Sequence, residues 1–171
     1  MTSAIHSHIG SDQRERIQLT IRGTVQGIGF RPFVFRLAQE LSLGGWIANT
    51  TQGTLLELEG TQNHLRAFQK RITTKLPLSG NIHAMSSSSI PVIGEQSFSI
   101  RPSQWDYQTQ SAIVPDQATC QKCLEDINNP LSRRYRYPFT TCAQCGPRFS
   151  IALHLPYDRS HTTMHQFALC N

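Results

Sequence analysis

The chain has 171 residues, of which 38% are hydrophobic and 16% are charged, and its formal net charge is +5. This length is enough for one hydrophobic core with a small appended module. No run of about 18 apolar residues occurs, and the polar leader at 1–13 has no signal-peptide core, so we expect neither a membrane span nor export. The mild positive charge fits small anions and nucleic acid equally well.

The first predicted elements are a strand, a loop and a helix. Apolar and polar residues alternate at 17–22, which predicts a half-buried strand. A glycine-rich loop follows at 23–29. From Phe30 onward, apolar residues recur every three or four positions, which predicts an amphipathic helix. We expect Gly44 and Gly45 to end that helix with a left-handed residue.

A hairpin and a second helix come next. Strands are predicted at 46–50 and 54–59, joined by a short turn, and Gly60 is expected to break the second one. Apolar residues at helical spacing then predict a helix that ends at Pro77, where the chain can no longer continue as a helix.

The last part of this domain gives weaker patterns. Residues 82–86 are a weak strand candidate, the serines at 86–89 suggest a polar strand end or loop, and 95–101 alternates around two apolar residues. The resulting order is β-α-β-β-α-β. This order predicts an α+β, ferredoxin-like fold, in which two helices cover one face of an antiparallel sheet.

Composition divides the chain into four parts. We expect a disordered leader at 1–13, the α+β domain at 14–102, a linker at 103–116 and a small cysteine-containing module at 117–171. The module has few apolar runs and cannot bury much core. A metal ion would therefore have to hold it together.

The junction between the first strand and the first helix is the strongest candidate for a binding site. Glycines 23, 27 and 29 allow successive backbone N–H groups to point inward as an anion nest, and the helix N-terminus adds its own amides. Arg31 lies in the first helical turn and can bind a phosphate. A tight glycine turn with a surface arginine is the simpler alternative, and Asn49 alone would be read as a turn residue.

Two motifs together resemble the acylphosphatase family. They are GTVQGIGFR at 23–31 and GWIANTTQG at 45–53. The resemblance implies that Arg31 binds the phosphate of an acyl phosphate and that Asn49 holds the attacking water. It also implies that hydrolysis needs no metal or other cofactor. The phosphate-binding loop would consist of Val25, Gln26, Gly27, Ile28, Gly29 and Phe30.

The five cysteines all lie in the last third of the chain. Cys-x2-Cys-x18-Cys-x2-Cys is a spacing typical of a zinc site, and reduced thiolates of this kind favour a cytoplasmic protein. Four unrelated thiols or a redox pair are the alternatives. The predicted metal ligands are Cys120, Cys123, Cys142, Cys145 and Cys170, the last belonging to an incomplete site.

The stretches at 114–151 and 155–170 resemble the segment that follows the acylphosphatase domain in the HypF family of carbamoyltransferases. The resemblance implies a hydrogenase maturation factor that uses carbamoyl phosphate and ATP and passes a carbamoyl group to its partner HypE. The family carries four Cys-x-x-Cys pairs and two further large domains, so we expect this chain to be an N-terminal fragment. If the pairs are interleaved, Cys120 and Cys123 would lack their partners and the zinc site would be incomplete.

Three functions remain open at this point. The first is hydrolysis of carbamoyl phosphate or other acyl phosphates, and the second is a phosphate-binding and partner-docking module without turnover. The third is nucleic-acid binding through the arginine and tyrosine residues at 133–137, although these residues better suit packing around a metal module. We expect a monomer that binds neither membranes nor nucleic acid.

Overall fold

The structure is a computed structural model, and it describes residues 13–77, 80–104, 118–142 and 144–167. Residues 1–12 of the predicted disordered leader, most of the predicted linker and Cys170 lie outside these residues. Within the described part of the chain, no helix is long and apolar enough to cross a membrane.

The α+β domain consists of five strands and two helices. Its sheet is ordered β4-β1-β3-β2-β5, with antiparallel pairing throughout except between β2 and β5. The predicted ferredoxin-like order is confirmed, and the short parallel strand β5 is added at the β2 edge. The elements are β1 (Arg14–Thr24), α1 (Phe30–Glu40), β2 (Gly44–Thr50), β3 (Gly53–Thr61), α2 (Gln62–Thr74), β4 (Asn81–Ile90) and β5 (Phe98–Ile100).

The hydrophobic core lies between the sheet and the two helices. The apolar residues Leu19 and Ile21 of β1, and Leu56 and Leu58 of β3, are buried at alternate positions, as strand periodicity requires. Each helix buries the apolar stripe seen in its sequence. Each large side chain buried in this way contributes ~1.5–3 kcal/mol. The core includes Leu19, Ile21, Phe30, Val34, Leu37, Leu56, Leu58, Leu65, Phe68 and Ile72.

Three glycines behave differently from the prediction. The left-handed residue after α1 is Ser42, with φ of 51°, whereas Gly44 and Gly45 belong to β2. A Cβ on either glycine would lie 1.9 Å from a main-chain carbonyl oxygen of a neighbouring segment, so close backbone approach explains both. Gly60 does not break β3 but lies within it, where a Cβ would meet the side chain of Leu43 at 2.4 Å.

The serines at 86–89 form part of a strand. They belong to β4, which pairs along the edge of the sheet with β1; Leu19, for example, lies opposite Ser87. The residues of β4 are mostly exposed on both faces. An edge strand of this kind buries no apolar face, so its sequence carries no alternation.

A buried ion-pair network joins the open face of the sheet to the loop before β5. The fully buried carboxylate of Glu59 lies 3.0 Å from Arg16, which also pairs with Glu57 at 2.6 Å. The main-chain N–H groups of Ile93 and Gly94 donate to Glu59 at 3.0 and 2.9 Å. Burial alone would raise the pKa of Glu59, but these hydrogen bonds and Arg16 lower it to about 2.

The cysteine-containing region at 118–167, called here the cysteine segment, has little regular structure. Its described residues contain one α-helix, α3 (Gln121–Asn128), which the sequence did not predict, and two single-turn 3-10 helices. Its buried hydrophobic residues, within the described part, are Cys123, Cys145 and Ile151. A segment that buries so few apolar side chains needs another source of stability.

Candidate active site and metal centre

Two glycines of the glycine-rich loop have left-handed backbone conformations. Gly27 and Gly29 have φ values of 76° and 72°, a left-handed region that glycine adopts without steric cost. Gly29 is the N-cap of α1, and none of the described residues in the first turn of this helix is acidic. The first-turn amides of a helix have no intrahelical partner. The positive end of α1 therefore lies next to the loop and carries no acidic residue in its own first turn.

A cavity of about 250 Å³ lies over this loop. Both residues that the acylphosphatase motifs single out, Arg31 and Asn49, line it, although they come from α1 and β2 respectively. Two residues of the predicted phosphate loop, Gln26 and Ile28, do not line it. The lining residues are Val25, Gly27, Gly29, Phe30, Arg31, Pro32, Asn49, Tyr157, Asp158 and Arg159.

Asn49 is fixed in place from two sides. Its side chain is nearly fully buried, and the hydroxyl of Thr54, the opposite residue on β3, donates to its Oδ1 at 3.2 Å. Its main-chain carbonyl accepts a hydrogen bond from the N–H of Gln104 at 2.8 Å. Thr54 binds the acceptor end of the amide, Oδ1, and the donor end, Nδ2, is the group that can bind a ligand.

Gln26 connects three parts of the molecule. Its Nε2 donates to the carbonyls of Thr50 and Gly53 in the β2–β3 hairpin, at 3.1 and 3.0 Å. Its Oε1 accepts a hydrogen bond at 2.8 Å from the N–H of Tyr157 in the cysteine segment. The side chain of Gln26 thus holds the glycine loop, the hairpin that carries Asn49 and the cysteine segment in register.

Sequence reasoning did not find four of the cavity residues: Pro32, Tyr157, Asp158 and Arg159. Asp158 Oδ2 lies 3.2 Å from Arg31 Nη1. It also accepts a hydrogen bond from the hydroxyl of Ser103 at 2.7 Å. Burial alone would raise the pKa of Asp158, but the bond from Ser103 and the charge of Arg31 hold it below its usual value. Arg31 and Asp158 are 127 residues apart, so no local pattern could have paired them.

Four of the five predicted metal ligands form one cluster. The Sγ atoms of Cys120, Cys123, Cys142 and Cys145 lie within 4.8 Å of one another, with separations between 3.6 and 3.9 Å for three of the pairs. Four thiolates bound tetrahedrally at a Zn–S distance of about 2.3 Å would have Sγ atoms about 3.8 Å apart. The residues present therefore fit a tetrahedral metal ion.

The surroundings of the cluster favour a thiolate at Cys145 and oppose one at Cys123. Arg148 is buried, and its Nη2 donates to Cys145 Sγ at 3.2 Å. Burial alone would raise the pKa of Cys145, but main-chain hydrogen bonds, Thr141 and Arg148 lower it. Burial raises the pKa of Cys123, whose thiolate a metal ion would have to stabilise. The first cysteine pair lies at the start of α3, a helix that the sequence did not predict. The proximity of this pair to the second pair favours a metal site over an isolated redox pair.

The metal cluster and the cavity are directly connected. A Cβ added to Gly27 would lie 2.8 Å from the Pro147 side chain, so the glycine loop packs closely against the residue that follows the second cysteine pair. The N–H of Arg148 donates to the Tyr157 hydroxyl at 3.2 Å. By contrast, the aromatic and basic residues at 133–137 lie outside the cavity lining, and Tyr135 and Tyr137 are exposed.

Two family models match the chain. The acylphosphatase model matches residues 17–100, and the HypF finger model matches residues 119–152. An acylphosphatase from Synechococcus sp. is 35% identical over 92 residues, which is 52% of this chain and 98% of that protein. The chain belongs to the acylphosphatase family. The first of the two sequence resemblances is thereby confirmed.

The acylphosphatase domain and the finger occur together in larger relatives. A carbamoyltransferase HypF from Synechocystis sp. is 42% identical over 151 residues, which is 88% of this chain and 20% of that protein. A crystal structure of full-length HypF in a phosphate- and nucleotide-bound form superimposes with a TM-score of 0.83 at 39% identity, over 93% of this chain and 21% of the other. This chain therefore corresponds to the N-terminal region of HypF-type carbamoyltransferases, and it spans about a fifth of their length.

Proposed function

We propose that the acylphosphatase domain hydrolyses acyl phosphates, with carbamoyl phosphate as its substrate in the HypF context. The observation that carries the proposal is the meeting of Arg31, Asn49 and the glycine loop around one cavity. The cavity is smaller than the roughly 300–1,000 Å³ of drug-sized ligand pockets, which suits a small phosphorylated molecule.

The chemistry follows from the charges and donors at the cavity. Arg31 and the amides of the loop bind the phosphoryl oxygens and stabilise the charge that they carry in the transition state. Asn49 Nδ2 donates to a water molecule and holds it in line with the phosphorus. The water attacks phosphorus, the bond from phosphorus to the acyl oxygen breaks, and phosphate and carbamate leave. Positioning and electrostatics are sufficient for phosphoryl transfer of this kind.

We assign a structural zinc ion to Cys120, Cys123, Cys142 and Cys145. The spacing of the sulfur atoms and the match to a HypF finger support this assignment. Zinc with four thiolates carries a net charge of −2, which the buried guanidinium of Arg148 offsets in part. The zinc holds the cysteine segment together and takes no part in hydrolysis.

In the complete HypF reaction, we infer that this step supplies carbamate for ATP-dependent transfer to HypE during maturation of nickel–iron hydrogenases. The inference rests on the similarity to HypF carbamoyltransferases over most of this chain. The proposal for the 171 residues themselves is limited to hydrolysis. The domain limits proposed from the sequence, 14–102 and 117–171, place Arg31 and Asn49 in the first unit and the proposed metal ligands in the second.

Substitution of Arg31 tests the proposal. Arg31→Ala should lower the rate of phosphate release from carbamoyl phosphate and acetyl phosphate by at least about 10³-fold, because the main charge on the phosphoryl group is lost. Arg36→Ala is the matched control, since Arg36 lies on the same helix but is exposed. Circular dichroism should show both variants folded. An Arg31→Ala variant with near wild-type turnover would refute the proposal.

Substitution of Asn49 separates hydrolysis from simple binding. Asn49→Ala should lower turnover by about 10²–10³-fold while inorganic phosphate still inhibits at a similar concentration, because water positioning is lost but anion binding is kept. If the wild-type chain binds phosphate but releases none from either acyl phosphate, the chain is instead a phosphate-binding module.

A further inference from the structure

The guanidinium of Arg31 is held by a carboxylate from outside the acylphosphatase domain. Asp158 Oδ2 contacts Arg31 Nη1 at 3.2 Å, and both side chains are partly buried. Asp158 lies beyond the residues matched by the acylphosphatase model and beyond those matched by the HypF finger model. We propose that Asp158 is a positioning residue of the anion site, which the cysteine segment supplies to orient Arg31 toward the phosphoryl group.

Asp158 is itself held firmly. Its Oδ2 accepts a hydrogen bond from Ser103 at 2.7 Å, and its Oδ1 accepts one from the main-chain N–H of Arg159 at 2.7 Å. The preceding residue, Tyr157, is tied to Gln26 of the glycine loop. A carboxylate fixed by three partners, Arg31 among them, is a built part of the cavity wall.

The contact leaves most of the guanidinium available to a ligand. A guanidinium has five N–H donors, and the ion pair between Asp158 and Arg31 joins one carboxylate oxygen to one terminal nitrogen. An arginine without such a partner must lose side-chain freedom when it binds phosphate. Asp158 orders the side chain in advance and so improves both phosphate affinity and transition-state stabilisation.

The opposite role, a carboxylate that competes with phosphate for Arg31, makes a contrary prediction. Removal of a competing carboxylate would tighten phosphate binding, because a negative charge would leave the neighbourhood of the incoming anion. Removal of a positioning carboxylate would instead weaken phosphate binding. The sign of the change in phosphate affinity therefore decides between the two roles.

The experiment compares Asp158→Ala and Asp158→Asn with the wild-type chain, all purified with bound zinc and checked for equal zinc content. Calorimetric titration with inorganic phosphate gives the affinity, and carbamoyl phosphate turnover gives kcat and KM. Asp158→Ala should weaken phosphate binding about tenfold or more, raising KM and lowering kcat. The phosphate affinity of Asp158→Asn should lie between those of the wild-type chain and Asp158→Ala, because the amide oxygen of Asn can still accept a hydrogen bond from Arg31.

Asp126→Ala is the matched control. It removes an ion pair with Arg134 at 2.8 Å within the same cysteine segment but away from the cavity, and it should leave phosphate affinity unchanged. Phosphate affinity in Asp158→Ala and Asp158→Asn that equals or exceeds the wild-type value would overturn the inference.

The inference rests on the proposed function, but the two can fail separately. Turnover tests hydrolysis, whereas phosphate affinity tests Asp158. A wild-type chain that binds phosphate without turnover would refute hydrolysis, and the comparison of Asp158 variants would still decide the positioning role.

Discussion

The two regions of this molecule are stabilised in different ways. The α+β domain buries a continuous apolar core between a sheet and two helices, whereas the cysteine segment leaves large apolar side chains such as Leu131, Phe149 and Phe167 exposed. In place of a core, the cysteine segment has four clustered thiols and a buried arginine. From this comparison we infer that hydrophobic burial is the main source of stability in the first region, and that the second region depends on a bound metal ion.

The candidate active site lies where these two regions meet. The α+β domain supplies the glycine loop, Arg31 and Asn49, and the cysteine segment supplies Tyr157, Asp158 and Arg159. A structural change in the cysteine segment should therefore alter the cavity, because Gly27, Gln26 and Arg31 contact that segment. Three predictions test how far the two regions differ and how strongly they are coupled.

The largest expected effect is that of metal removal. A strong chelator, or Cys145→Ser, should unfold the cysteine segment, because structural zinc sites contribute about 10–16 kcal/mol to folding. Amide hydrogen exchange should show lost protection in α3, while the amides of β1 and β3 stay protected and serve as an internal control. Equal protection of α3 with and without metal would contradict the proposed dependence.

A smaller effect is expected from the buried carboxylate of the α+β domain. The pKa of Glu59 is about 2, below its ordinary 4.5, so its stabilising contribution is complete above pH 4.5 and is lost as the pH falls towards 2. This shift corresponds to about 3 kcal/mol. Glu59→Gln should lower the free energy of unfolding by about this amount at pH 7 and flatten its pH dependence in that window.

Urea denaturation at several pH values measures this effect. Glu40→Gln is the control, because Glu40 is an exposed partner of Arg71 and exposed pairs contribute little. An unchanged pH dependence in Glu59→Gln would show that another carboxylate is responsible.

The smallest effect is expected at the contact between the two regions. Gly27→Ala and Gly94→Ala both place a Cβ on a left-handed residue, with φ of 76° and 80°, which costs about 1–2 kcal/mol in each case. Only at Gly27 would the Cβ also meet a neighbour, the side chain of Pro147 at 2.8 Å, whereas nothing lies within 4 Å at Gly94. Gly27→Ala should therefore also weaken phosphate binding, and Gly94→Ala should not. Thermal unfolding and phosphate titration of both variants measure the difference, and equal behaviour would argue against a close contact.

The sequence predicted those parts of the fold that bury an apolar face. The alternation in β1 and the helical stripes of α1 and α2 were sufficient to predict the ferredoxin-like order. The full extent of β4 was not predicted, because an exposed edge strand needs no alternation. Helix α3 was also missed, since it has only eight residues and Cys123 is the one among them that is buried.

The candidate site was predictable only where its residues lie within local motifs. Arg31 follows the glycine loop and Asn49 ends a strand, so both belong to recognisable patterns, and the paired cysteines likewise have a typical spacing. The contribution of Asp158 depends on how the cysteine segment docks on the domain. A contact of this kind is determined by tertiary structure and leaves no periodicity or spacing in the sequence.

The central claim is that the glycine loop and Arg31 form an anion cradle. Its most direct test is amide NMR of the zinc-loaded chain during titration with inorganic phosphate. We predict saturable chemical-shift changes that are largest at the amides of Gly27, Gly29 and Phe30 and at the Arg31 side chain, and that are absent in Arg31→Ala. Changes confined to the basic residues at 133–137, or no saturable change at all, would contradict the claim.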